Sequence, residues 1–122
     1  MSDSHYDRAH LGAFGRIAEG QPALAAEFFR YYGAVFAPGA LSVREKALAA
    51  LAVAHAVQCP YCIDAYTSGS LEKGADLTQM TEAVHVAAAV RAASVLSYGL
   101  QMLAQGSRAS MGDALSETSP AY

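Results

Sequence analysis

Apolar residues recur along this chain at helical spacing, and no run shows the alternation of a half-buried strand. Leu11, Phe14 and Ile17, spaced three apart, predict a short first helix from about Arg8 to Ala18 that buries them. Gly12 and Gly15 weaken it, Gly20 ends it, and residues 1–7 before it read as frayed. Pro22 suits the first turn of a second helix, where its missing N–H is no loss. Leu24, Phe28, Tyr31, Tyr32, Val35 and Phe36 give that helix a wide apolar face, read as core or subunit interface rather than a ligand box.

Residues 37–40 form a turn, and Ser42 with Glu45 has the spacing of a capping box at the start of a third helix. The body of that helix, residues 47–57, is small-sided nearly all round, so neighbouring helices can approach it closely; His55 and Gln58 are the polar exceptions. Pro60 disfavours helical geometry at Cys59 and fits the first turn of a fourth helix, so the chain bends at the thiol. That helix runs to about Lys73, with Gly74 as its C-terminal cap. Asp76 and Gln79 cap the next helical stretch, whose pattern continues from Leu77 to about Leu103, as one helix or as two joined near residues 91–94. Residues 106–122 read as a flexible tail with room for one turn around residues 111–115. The expected architecture is an all-α bundle of five to six helices, with a single domain over residues 1–105 and the tail beyond it.

Composition adds an oligomer. Of the 122 residues 53% are hydrophobic, and the mean hydropathy of +0.18 suggests apolar surface buried between subunits, hence a homo-oligomer. A net charge of −3 without a basic cluster disfavours nucleic acid as a partner. The polar N-terminus lacks a signal-peptide pattern, so a cytoplasmic location is expected. The most apolar run, residues 47–54, is far short of the roughly 20 residues a bilayer needs, and His85 and Arg91 interrupt the later alanine-rich segment; no membrane span is expected.

The two cysteines, Cys59 and Cys62, stand in a C-x-x-C, which in a reducing compartment points to redox chemistry or metal binding rather than a permanent staple. At a helix N-terminus the free N–H groups and the dipole stabilise a thiolate, which makes Cys59 the more acidic thiol. Spacing of three lets the sulfurs meet, so one can attack a peroxide or disulfide and the other can resolve it, with no metal or organic cofactor. Against this stand a half zinc site, short of ligands with four histidines in the chain, and two inert core cysteines. Tyr66, four after Cys62, and His55, four before Cys59, can reach the thiols along their helices. The plain alternatives are a packed phenol and a histidine bonded to a backbone carbonyl. Asp64 reads as a solvent-facing charge, and His85 approaches the junction only if the long helix crosses it.

Residues 41–46 (LSVREK), 59–65 (CPYCIDA) and 71–75 (LEKGA) together resemble the alkylhydroperoxidase D (AhpD)-like, carboxymuconolactone decarboxylase superfamily. Within it, residues 54–66 and 79–87 are similar to the peroxidase-like subgroup associated with arsenosugar biosynthesis, and the likeness spans about Phe28 to Met102. The resemblance implies an all-helical fold assembling as trimers or hexamers. In the peroxidase branch it implies a cycling C-x-x-C, a peroxide or disulfide substrate, a dithiol reductant protein and a proton relay. The decarboxylase branch does not depend on a redox C-x-x-C. The relay has a Glu twelve before the first Cys and a His four after the second, positions that here hold Ala47 and Tyr66. Glu45 cannot stand in for the carboxylate, because two residues along a helix is about 200° of rotation. The relay would activate Cys62, whereas the helix-dipole argument favours Cys59, with His55 or His85 as the replacement base and Tyr66 as a hydrogen-bond donor. Two further readings remain: a dithiol that captures trivalent arsenic, and a helical oligomer with a vestigial site.

Overall fold

Local sequence signals build most of the helices. A computed structural model describes residues 12–112; the frayed start, the onset of the first helix at Arg8 and the end of the tail lie outside these residues. Among the described residues the chain is all-α, with one 3₁₀ helix and four α-helices. The predicted first helix is 3₁₀ over Phe14–Glu19, a geometry in which residues three apart eclipse, as the spacing of Phe14 and Ile17 requires. It does not bury them: Phe14 is 52% and Ile17 61% exposed.

Helix α1 (Pro22–Phe36) opens on Pro22, as expected. Lys46 Nζ donates to the carbonyls of Val35 and Ala37 at 2.7 and 2.6 Å, tying the end of α1 to the next helix. Helix α2 (Val43–Ala56) starts with the predicted capping box: the Ser42 hydroxyl accepts from the Glu45 N–H at 3.1 Å, and the Glu45 carboxylate accepts from the Ser42 N–H at 2.8 Å. Helix α3 (Pro60–Glu72) packs against α2 through small residues. Ser70, fully buried, donates to the Ala47 carbonyl at 3.4 Å, which satisfies the one buried hydroxyl of that seam.

Asp76 and Gln79 exchange bonds of 3.1 and 2.8 Å at the start of α4 (Leu77–Gly112). That helix is single, and it runs past Leu103 through Gly106, where the sequence suggested a tail. The chain divides into two units, one ending at Ala87 and the other beginning at Ala88. In the first, Leu51, Ala75 and Met80 form the core, with Leu48 and Tyr66 packed on it. In the second, the helix leaves Val90, Val95, Leu96 and Leu100 between 63% and 74% exposed. By length and composition alone, residues Leu77–Met111 could also cross a membrane, since an 18-residue window within them has a mean hydropathy of 1.3.

Candidate active site

The junction between α2 and α3 is built by the backbone. Helix α2 ends in a Schellman motif: the Cys59 N–H reaches the Ala54 carbonyl at 3.1 Å and the Gln58 N–H reaches the His55 carbonyl at 3.1 Å. The motif needs a left-handed residue, and Gln58 supplies it with φ of 57°. Pro60 accounts for the extended backbone at Cys59 but not for this cap, and Gln58 carries no sequence signal for it because the glycine usual at such a position is absent. Helix α3 closes with the same motif around the predicted Gly74, whose φ is 93°.

The turn leaves Cys59 as the N-cap of α3. Its Sγ accepts from the Cys62 N–H at 3.2 Å and lies 2.7 Å from Cys62 Sγ. Both cysteines are free thiols, half-buried. The Cys62 thiol beside it, then the N–H groups of Cys62 and Tyr61, hold the Cys59 thiol below its usual range. Burial, then the bond to Cys59, pushes Cys62 up to about 11. The two thiols are thus unequal in the sense expected for a thiolate at a helix N-terminus.

Tyr66 sits one turn beyond Cys62 on the same face of α3. Its hydroxyl is hydrogen-bonded to that of Tyr32 from α1, and its ring stacks on Phe36 with centroids 5.7 Å apart. Burial first, then the bond to Tyr32 and the nearby thiols, raise the Tyr66 phenol well above its ordinary range. Tyr66 therefore keeps its proton at neutral pH. Ring contacts continue through Tyr32, Phe28 and Phe29 to Phe14, so the aromatic residues of the stripe form a partly exposed ladder that ends at Tyr66, one turn from Cys62. Tyr32 is the residue that sequence reasoning passed over; its helical spacing placed it in the stripe, and nothing local linked α1 to α3.

His55 is half-buried, and its Nδ1–H donates to the Leu51 carbonyl at 2.9 Å, the carbonyl-bonded arrangement given above as the plain alternative to a role at the thiols. His85 is exposed on α4, and among the described residues no hydrogen bond joins either histidine to a sulfur. Ala47, whose carbonyl accepts the Ser70 hydroxyl, is 5% exposed. Among the described residues no group of three or more His, Cys, Asp or Glu converges as metal ligands.

An all-helical domain with a thiol pair at a helix junction defines the class. The chain belongs to the carboxymuconolactone decarboxylase family, which it matches over residues 22–105 and which includes decarboxylases and alkylhydroperoxidases. It is 38% identical over 104 residues to uncharacterized protein 4 in cox locus from Paracoccus denitrificans, covering 85% of this chain and 93% of that one. A crystal structure of a Methanobacterium thermoautotrophicum protein is similar with a TM-score of 0.69 at 33% identity, covering 72% of this chain and 96% of the other.

Proposed function

We propose that this chain is a thiol-dependent, AhpD-like oxidoreductase that cycles Cys59 and Cys62 between dithiol and disulfide, with an alkyl hydroperoxide as oxidant. The observation that carries the reading is Cys59 Sγ seated as the N-cap acceptor, 3.2 Å from the Cys62 N–H and 2.7 Å from Cys62 Sγ. The Cys59 thiolate attacks the terminal peroxide oxygen, the O–O bond breaks, and the departing alkoxide takes a proton to become an alcohol. Cys62 then attacks the sulfenic acid at Cys59, releasing water and forming the disulfide. An external dithiol, small molecule or protein, returns both thiols. The reading puts the chain in the cytoplasm, where free thiols persist.

The adjacent sulfurs also favour a second reading, a soft dithiol chelate of trivalent arsenic. Steady-state consumption of cumene hydroperoxide with dithiothreitol separates the two. Peroxidase chemistry predicts turnover abolished by Cys59→Ser, while Cys62→Ser forms no intramolecular disulfide and depends on dithiothreitol to reduce the Cys59 sulfenic acid. Stoichiometric arsenite binding in a protein that consumes no hydroperoxide would replace it with the chelate.

We further propose a homo-oligomer, a trimer or hexamer, in which a second copy covers the exposed apolar residues of α4. Unit two supports this by itself, since a helix apolar on this many sides needs a covering surface.

A further inference from the structure

We propose that Tyr32 is a positioning residue that connects Tyr66 to solvent, so that the paired hydroxyls deliver the proton taken by the alkoxide when Cys59 attacks a hydroperoxide. This rests on the peroxide reading above. Tyr66 shares a helix face with Cys62 one turn away, and Phe36 stacks on its ring, fixing the direction of its hydroxyl. The Tyr32 hydroxyl is bonded to that of Tyr66, and either can donate. Tyr32 itself is 37% exposed, so its other side meets water. Tyr66 O–H gives its proton to the leaving oxygen, Tyr32 O–H replaces it, and water restores Tyr32. The protons balance, and neither phenol has to ionise fully. A phenol that stays protonated suits the donor's part and not that of a base. The pair thus supplies the acid half of the chemistry at a site where the family's relay positions hold Ala47 and Tyr66.

The test exploits the leaving group. Departure of an alkoxide needs a proton, whereas departure of iodide from iodoacetamide needs none, and both reagents report on the same thiolate. The reduced full-length protein is mixed with cumene hydroperoxide or with iodoacetamide, and the loss of free thiol is followed in time. Tyr32→Phe keeps the rings that pack on Phe28 and Phe36 at 5.6 and 4.8 Å and removes the hydroxyl alone. The expected result is oxidation by the hydroperoxide slowed about tenfold or more, with alkylation changed less than about twofold. Tyr66→Phe is expected to show the same selectivity. Equal slowing of both reactions would mean that Tyr32 acts on the thiols through packing, and no slowing of either would mean that it does not act; each overturns the inference and leaves the peroxide reading standing. Wild-type protein that is alkylated but not oxidised by the hydroperoxide overturns both.

Discussion

Cys59 owes its acidity first to the Cys62 thiol beside it and then to the free N–H groups at the start of α3. No lysine, arginine or histidine is among the causes; the Cys62 thiol contributes most and the N–H groups of the first turn of α3 the rest. Replacing Cys62 with alanine is therefore expected to raise the midpoint of the pH-dependent alkylation of Cys59 toward the ordinary 9.0. An unmoved midpoint would show that the backbone alone sets it. Cys62 carries the opposite consequence. Its folded-state value of about 11 lies above the ordinary 9.0, so between those values the unfolded chain has lost a proton that the folded chain retains. The reduced protein is expected to lose stability as pH rises through this window, by urea denaturation. Oxidation to the disulfide should remove the part of that slope owed to Cys62 and keep the part owed to Tyr66, whose phenol is also raised.

The elements were legible in sequence wherever a cap or a breaker is local. Pro22, the Ser42–Glu45 box, the Asp76–Gln79 pair and Gly74 all act within a few residues of themselves, and each appears where its pattern indicated. The C-x-x-C junction was legible for the same reason. Less legible were features set by tertiary geometry: the Tyr32–Tyr66 bond spans α1 and α3, and the exposure of Phe14, Ile17 and the later residues of α4 depends on what packs beside them. Gln58 hid its role because a left-handed cap is expected of glycine. Holding an L-residue there costs about 1–2 kcal/mol, so Gln58→Gly is expected to stabilise the fold by up to about 1 kcal/mol after the added chain entropy of glycine. Gly74→Ala, with open space for the new Cβ but the same left-handed backbone, is expected to destabilise by about 1 kcal/mol. Thermal melts of the two variants should move in opposite directions.

At the scale of the molecule the buried apolar set is thin. Among the described residues it contains Leu51, Met80 and five alanines, while the α1 ladder and the apolar positions of the second unit stay open. Such surface is stable in water when another copy of the chain covers it. Light scattering on the purified protein is expected to give a multiple of the 12.7 kDa chain mass, and Leu96→Glu combined with Leu100→Glu should shift the population toward the single chain. A monomer in detergent-free buffer would count against the assembly. Recovery with phospholipid vesicles alone would mean that a bilayer, and not a second copy, covers residues Leu77–Met111.

A two-thiol cycle at the α2–α3 junction is decided by a single-turnover reaction of the reduced protein with cumene hydroperoxide, counting free thiols and alcohol formed. Two thiols lost and one alcohol gained per chain are expected, with an intramolecular Cys59–Cys62 disulfide and no reaction in Cys59→Ser. Retention of both thiols in the presence of excess hydroperoxide, or the same rate of thiol loss in Cys59→Ser, would contradict it.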